Sequence, residues 1–157
     1  MKRINPWLSD DNVQKAVLRV LRTDRIVPRM QSPGVVDVRS HHSVPVTLDR
    51  LASLLAERGL MVFARIDFSG DAERAGLAMR PMQMLLFGNP KAGTPILIAA
   101  PRAGLDLPLR ALAWEDADGT VWVSANTPEY LASRHGLTPD LVARVAGAGA
   151  LIKSAAE

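Results

Sequence analysis

The stretch of residues 80–116 constrains the fold of this chain more than any other. It contains a short apolar run over residues 82–87, in which Gln83 is the only polar residue. A run of this length suits a strand that is buried on both faces, although a buried helix segment has the same pattern. Two glycines and two prolines then fall within residues 87–95, and such a density of breakers ends any regular element. A further strand is predicted over residues 109–115.

A loop and a short helix are predicted after the central strand. Thr94 can cap the free N–H groups of a helix start, and Pro95 is tolerated at the first helical position. We therefore predict a loop over residues 88–94, and residues 95–100 would suit either a short helix or a strand. The loop has the glycine positions of a phosphate-binding loop, but Thr94 stands where that motif has its lysine. Lys91 lies inside the loop, so we interpret the loop as a structural connection.

The composition argues against several kinds of site. The 157 residues include no cysteine, which excludes disulfides, thiolate catalysis and cysteine-ligated zinc. The three histidines are His41, His42 and His135. Adjacent residues on a strand point to opposite faces, which argues against a metal shared by the first two. We find no cofactor motif, and we predict neither a metal nor a cofactor. No apolar leader or membrane-spanning run is visible, so we expect a cytoplasmic protein with no membrane segment.

Positive charge is concentrated at the N-terminus. Residues 1–30 hold seven basic and three acidic residues, whereas residues 31–157 hold 12 basic and 13 acidic residues. A basic arm can attract nucleic acid or an acidic partner. No aromatic residues alternate with these charges, as they do in proteins that bind single strands, and this argues against nucleic-acid binding.

An amphipathic helix is predicted within this basic segment. Ser9 is a suitable N-cap, and apolar residues then recur at helical spacing at Val13, Ala16, Val17, Val20 and Leu21. We predict a helical extension and linker over residues 1–34, with the helix docked on the body or on a partner subunit. Residues 35–157 are predicted to form a single α+β domain with C-terminal helices.

Caps and breakers outline the elements that precede the central strand. Val36 and Val38 alternate with Asp37 and Arg39, which is typical of a half-exposed strand. Four elements are predicted in order: a strand over residues 35–40, a helix opened by Ser43 or Thr47 and ended by Gly59, a strand over residues 60–68 with Asp67 near its end, and a helical turn over residues 71–75.

A hairpin is predicted after the central stretch, because Asp118-Gly119 is a strong signal for a tight turn. A two-residue turn would pair Trp114 with Val123 and Glu115 with Trp122. Two sets of side chains would then face opposite ways: Leu112, Trp114, Val121 and Val123 on one face, and Ala113, Glu115, Trp122 and Ser124 on the other. The second face would need a cover, either a helix or another subunit.

Two helix starts follow the hairpin. Thr127-Pro128 and Thr138-Pro139 each combine a capping residue with proline at the first helical position. Gly136 separates the two helices. Gly147 and Gly149 lower the helical propensity of the last segment, so we expect the tail to fray.

Scattered short motifs between residues 35 and 136 together resemble one known family. They are Gly59-Leu60, Arg65-Ile66-Asp67, Gly76-Leu77, Arg80-Pro81, Asn89-Pro90, Gly104 with Leu107-Pro108, and Glu115-Asp116. This combination resembles the family called domain of unknown function 302 (DUF302). The resemblance implies a single copy of the fold that is repeated in the TATA-binding protein: a mainly antiparallel sheet of about five strands with helices packed on it. It also favours a helix rather than a strand over residues 95–100. It implies a homodimer, and it brings no activity.

Two functions from different classes remain open. The first is a non-catalytic, dimeric small-molecule-binding or interaction module, because no set of nucleophile and base, metal ligands or cofactor motif is found. The alternative is an enzyme whose acid/base site combines Asp67, Asn89, Lys91 and Glu115, provided that burial raises the pKa of one carboxyl.

A small anionic ligand is predicted to bind near the end of the central strand. The candidate residues are Asn89, Lys91 and Thr94, with Asp67 and Glu115 nearby. A helix N-terminus favours anions, and Lys91 would add a positive charge. Asp67 and Glu115 end two other strands, and strand order decides whether they reach the same place.

Overall fold

The computed structural model describes residues 32–157. The chain divides into two units, residues 1–30 and residues 31–157, and only the second is described below. The predicted N-terminal amphipathic helix, with its docking, lies outside the described residues and stays a prediction.

The described residues form an α+β domain, as predicted. Within residues 32–157, five strands and six α-helices follow each other, with a short 3-10 helix at Pro101–Leu105 after the third α-helix. The strands are β1 (Val35–Ser40), β2 (Met61–Asp67), β3 (Met82–Gly88), β4 (Leu109–Glu115) and β5 (Val121–Asn126). The helices are α1 (Val44–Glu57), α2 (Phe68–Arg74), α3 (Pro90–Ala99), α4 (Pro128–His135), α5 (Pro139–Ala143) and α6 (Ala148–Ala156).

The strands form one antiparallel sheet in the order β1-β5-β4-β3-β2. The chain therefore runs from the edge strand β1 to the opposite edge strand β2 and returns by way of β3, β4 and β5. Helices α1 and α6 cover one face of the sheet, here called the inner face. An α+β fold with a five-stranded antiparallel sheet is confirmed, whereas likeness to the TATA-binding protein stays a prediction.

Helix α1 supplies much of the core. Leu48, Leu51 and Leu55 are fully buried at spacings of three and four residues, so they lie on one face of the helix. Burying each of these side chains contributes about 1.5–3 kcal/mol. Thr47 is also fully buried, and its hydroxyl lies 2.6 Å from the Ser40 hydroxyl at the end of β1. This bond satisfies two buried polar groups and fixes the first turn of α1 against the sheet.

The hairpin between β4 and β5 has a register that differs by one residue from the predicted register. Trp114 lies opposite Trp122, and Glu115 lies opposite Val121. The Asp116 N–H donates to the Thr120 carbonyl, which leaves a three-residue loop instead of two. Its last residue is Gly119 with φ of 78°, the left-handed residue that such loops use.

Relative to the prediction, the changed register places the β4 side chains on the opposite faces of the sheet and leaves the β5 side chains where they were expected. Ala111 and Ala113 are buried on the inner face together with Val121 and Val123. The outer face carries half-buried side chains from the three central strands: Met84, Leu86, Leu112, Trp114, Trp122 and Ser124. The prediction for Leu112, Trp114, Ala113 and Glu115 is therefore wrong, because an extra loop residue moves each to the other face.

Helix α3 begins earlier than predicted. Asn89 caps it by accepting the Lys91 N–H at 2.8 Å, and Pro90 takes the first position. Pro95, expected at the helix start, lies inside the helix. The predicted loop over residues 88–94 is therefore mostly helical, and both Asn-Pro and Thr-Pro carried the signal of a helix start.

The C-terminal helix α6 is anchored rather than frayed. Ile152, Ala155 and Ala156 are buried. The Ala156 carbonyl accepts the His41 N–H at 2.9 Å, and the Ala155 carbonyl accepts the Arg50 Nε at 3.0 Å. These tertiary contacts thus outweigh the low helical propensity of Gly147 and Gly149.

Candidate functional site

The strand register separates the five predicted site residues into two groups. Asp67 lies opposite Gln83 near the start of β3, and Glu115 ends β4 beside the same start, where its N–H donates to the Pro81 carbonyl at 3.0 Å. Asn89 follows the other end of β3. Asp67 and Glu115 are therefore not near Asn89, and the register gives no support to an acid/base site that combines all of them.

Asp67 has a structural role at the start of helix α2. Its carboxylate accepts the Gly70 N–H at 2.9 Å and the Ser69 hydroxyl at 2.8 Å. The Gly70 N–H, followed by the Ser69 hydroxyl, holds the pKa of Asp67 below its usual value. A carboxyl held in its ionised form suits a helix cap and is poorly suited to donate a proton.

Glu115 takes part in an ion pair at the same end of the sheet. Its Oε1 lies 3.3 Å from the Arg80 guanidinium, whose side chain is mostly exposed. An exposed pair of this kind contributes about 0–1 kcal/mol, so it identifies no special chemistry.

The N-terminus of α3 is satisfied by its own cap. The Asn89 side chain accepts the Lys91 N–H, and the Asn89 carbonyl accepts the N–H groups of Ala92 and Gly93, each at 2.9 Å. Pro90 has no N–H to offer. The first turn therefore leaves no free backbone donor for an anion, and the predicted anion site at this helix start needs other cations.

A cavity of about 500 Å³ lies beside this helix start, and we call it the α3–α6 cavity. It is bounded by the ends of α1 and β3, the first turns of α3, the start of β4, and the segment that joins α5 to α6. Asn89 and Thr94 line it, as do Phe63, Phe87 and Leu97. Lys91 is exposed and is not among its lining residues. Two of the five predicted residues thus share this space.

Most of the cavity wall is apolar, and its charged residues are arginines. Arg58 comes from the end of α1, and Arg144 comes from the segment between α5 and α6. Neither guanidinium group makes a hydrogen bond or ion pair with another residue within 32–157, and no carboxylate side chain of this part of the chain lines the cavity. The cavity therefore combines an apolar interior with two positive charges that have no counter-ion among residues 32–157.

A buried acid–histidine pair lies outside the cavity. Asp106 Oδ2 is 2.6 Å from His135 Nε2, and the His135 side chain is almost fully buried. The Arg134 Nε lies 3.3 Å from the same oxygen. This cluster joins the end of α4 to the residues before β4, which gives it a structural function.

Within residues 32–157, histidine and carboxylate side chains form no group of three that could hold a metal ion. In the same part of the chain, no helix has the length and apolar character needed to cross a lipid bilayer.

The matching family model and a similar solved structure carry one name, whereas the similar curated proteins carry another. The family model described as "Domain of unknown function DUF302" matches residues 36–155. The chain is similar to the fluoride-specific ion channel FluC 1 of Brucella suis biovar 1 (strain 1330), with 45% identity over 127 residues. That match covers 78% of this chain and 50% of the relative. The fluoride-specific ion channel FluC 2 of Brucella melitensis biotype 1 is also 45% identical over 127 residues, which cover 78% of this chain and 47% of that protein.

The chain thus spans about half the length of the curated relatives it matches. Among solved structures, it is similar to an uncharacterized conserved DUF302 protein from Bacillus stearothermophilus. The TM-score is 0.66 and the identity is 20%, over 80% of this chain and 97% of the other. At that identity the likeness concerns the fold.

Proposed function

The chain belongs to the DUF302 family, and from that premise we propose that it is a non-catalytic, dimeric module that binds a small anionic molecule in the α3–α6 cavity. The observation that carries this proposal is the cavity itself, with its apolar wall and two arginines that the described part of the chain leaves without a counter-ion. Ligand sites in proteins commonly measure about 300–1,000 Å³ and are mostly apolar with a few polar groups. The volume of about 500 Å³ falls within that range.

Charge in the cavity favours an anion over a neutral or cationic ligand. Arg58 and Arg144 are both exposed at the cavity, and the guanidinium group pairs well with a carboxylate or phosphate. Asn89 adds a polar contact, because its Oδ1 caps α3 while its side-chain amide can still donate. These three residues replace the helix N-terminus and Lys91 as the groups that we propose to hold the anion.

The outer sheet face supports the proposal of a homodimer. Its half-buried side chains include Met84, Leu112, Trp114 and Trp122, whereas α1 and α6 pack on the inner face. A symmetric dimer could join two such faces, because an isologous interface uses the same patch on both subunits. Aromatic residues and methionine are enriched in such interfaces.

Ligand binding is tested by native mass spectrometry and by a fluorescent probe. Protein purified without denaturation is expected to carry a small acidic molecule that is released on unfolding. The apolar sulfonate 1-anilinonaphthalene-8-sulfonate should also bind the folded protein, because it combines an apolar body with one negative charge. Ala92→Phe fills the cavity from helix α3 and should abolish probe binding, whereas Ile98→Phe on the exposed side of the same helix should not. Equal probe binding by both variants would contradict the proposal.

A second proposal concerns the partner and rests on the curated relatives. Two of them carry the name fluoride-specific ion channel, at 45% identity over half of their length. We propose that the domain acts together with a fluoride channel as an accessory part. Cells that lack the domain should then grow more poorly in medium with added sodium fluoride, and equally well with sodium chloride. Equal growth of both strains at every fluoride concentration would contradict this role.

A further inference from the structure

A second hollow of about 360 Å³ lies next to the α3–α6 cavity, and we call it the second hollow. It lies over β1 and β5 and under helix α6, on the same inner side of the sheet. The two spaces have lining residues in common, which are Phe87, Leu109, Val145, Ala148 and Ala150. They are therefore neighbours that share part of their lining rather than two unrelated sites.

The lining residues that the two spaces share have small or apolar side chains. Phe87 on β3 is buried on the inner face of the sheet, and Val145 is largely buried in the segment between α5 and α6. Ala148 and Ala150 contribute only methyl groups at the start of α6. A ligand that extends from one space to the other would therefore contact apolar atoms along its whole length.

The charges at the two ends of this path differ. The α3–α6 cavity has Arg58 and Arg144 and no carboxylate among its described lining residues. The second hollow has two basic residues, Arg110 and Lys153, but also the carboxylates of Asp106 and Glu129. An acidic group of a ligand is therefore favoured at the arginine end, whereas the far end favours no charge of either sign.

We infer that the ligand is an elongated apolar monocarboxylate, whose carboxylate pairs with Arg58 and Arg144 and whose chain extends past Phe87 into the second hollow. This inference rests on the proposed ligand-binding function and names its chemical class. Val38 and Ile152 line the far part of the path and would contact the end of the chain. A short acid would fill only the α3–α6 cavity.

The test uses a series of saturated straight-chain carboxylates, from hexanoate to tetradecanoate, measured by titration calorimetry with the whole chain. Affinity should rise by roughly fourfold for each buried methylene. The rise should continue beyond octanoate and stop when the second hollow is full. The alcohol dodecanol, which has the same chain as dodecanoate but no charge, should bind at least tenfold more weakly.

Two matched variants separate the parts of the path. Gly147 lines only the α3–α6 cavity, and Gly149 lines only the second hollow. A Cβ added at either position meets no atom within 4 Å, and neither glycine has a positive φ, so both accept a side chain. Gly147→Phe should weaken every acid in the series. Gly149→Phe should leave hexanoate unchanged and reduce the affinity for tetradecanoate to that for the short acids.

The outcomes distinguish this inference from the function on which it rests. If tetradecanoate binds Gly149→Phe as tightly as it binds wild type, the second hollow receives no chain, although the cavity still binds acids. If affinity does not increase with chain length in the wild type, the ligand is not an elongated acid. If neither the acids nor the anilinonaphthalene sulfonate bind, the proposed ligand-binding function itself fails. Melting curves of both variants confirm that a loss of affinity is not a loss of folding.

Discussion

Trp114 and Trp122 lie directly opposite each other on the neighbouring strands β4 and β5. Both indole N–H groups have acceptors: Trp114 Nε1 donates to the Ser124 hydroxyl at 2.8 Å, and Trp122 Nε1 donates to Asp116 Oδ2 at 2.8 Å. Opposed aromatic residues stabilise an antiparallel pair by about 0.2–1 kcal/mol. Both indole N–H groups are thus satisfied on the outer face.

The first prediction concerns the loop that fixes this pairing. Asp116 accepts N–H groups from Asp118 and Thr120, each at 2.9 Å, in addition to the Trp122 indole. The Trp122 indole first, and then the Thr120 and Asp118 N–H groups, hold the pKa of Asp116 below its usual value. The ionised carboxylate therefore contributes stability above the unfolded pKa of about 3.9, and this contribution is lost as the pH falls through the lower folded pKa.

Asp116→Asn should accordingly lower the Tm at pH 7 by roughly 2–5 °C. The difference from wild type should shrink as the pH falls from about 4 through the lower folded pKa, because the wild-type carboxyl then becomes neutral as well. Asp118→Asn is the matched control, since only the backbone N–H of Asp118 takes part in these loop hydrogen bonds. Melting curves from pH 2 to pH 7 provide the measurement. A constant difference between Asp116→Asn and wild type over that range would show that the charge plays no part.

The second prediction concerns the proposed dimer. Leu112 lies in the middle of the outer face, opposite Met84 on β3 and Ser124 on β5. Leu112→Glu would bury a carboxylate against the same residue of a second copy, and the cost of an unpaired buried charge should shift the protein to monomer. Light scattering at about 100 μM protein measures the change in mass.

Ile98→Glu is the control for this second prediction. Ile98 is 76% exposed on α3, so a charge there should alter neither folding nor assembly. A monomeric wild type at the same concentration would contradict the dimer. So would a Leu112→Glu protein that keeps its fold and the mass of a dimer.

The hairpin also shows how much of the structure can be predicted from the sequence alone. The pattern predicted β4 over residues 109–115 and the turn at Asp118-Gly119, and the structure has both. The register predicted from the pattern was wrong, because a two-residue loop and a three-residue loop both have Gly119 as their last residue. What decides between them is the Asp116 side chain, which binds across the loop, and alternation of apolar residues carries no information about that contact.

Only part of the candidate site could be predicted, because the sequence pattern reports local signals and not contacts between distant residues. Asn89 carries a strong local signal for a cap, and it does lie at the cavity. Arg58 and Arg144 are 86 positions apart, and nothing in either neighbourhood marks them as members of one site. Both line the cavity because α6 folds back on α1, and no short motif encodes that contact between distant parts of the chain.

The third prediction concerns the core beneath helix α1. Leu51 is fully buried against the sheet, whereas Val46 in the same helix is 45% exposed. Leu51→Ala should lower the free energy of unfolding by about 2–5 kcal/mol, because it removes apolar contacts and leaves a cavity. Val46→Ala should change it by less than about 0.5 kcal/mol. Urea unfolding followed by circular dichroism gives both values. Similar losses in the two variants would mean that α1 does not pack as described.

The fourth prediction concerns the cations at the α3–α6 cavity. Hydrogen bonds to charged groups contribute about 1.5–3 kcal/mol when desolvated, but Arg58 and Arg144 are exposed, so solvent and salt reduce their effect. We therefore expect Arg58→Gln and Arg144→Gln each to weaken dodecanoate binding by about tenfold at low salt, with a smaller loss at 0.5 M salt. Lys91→Gln removes the same charge from a residue that is exposed beside the cavity but does not line it, and it should leave the affinity unchanged. Titration calorimetry on the four proteins measures these differences. If Lys91→Gln weakens binding as much as the arginine variants do, the anion is attracted by the general charge of this surface and not held by the two arginines.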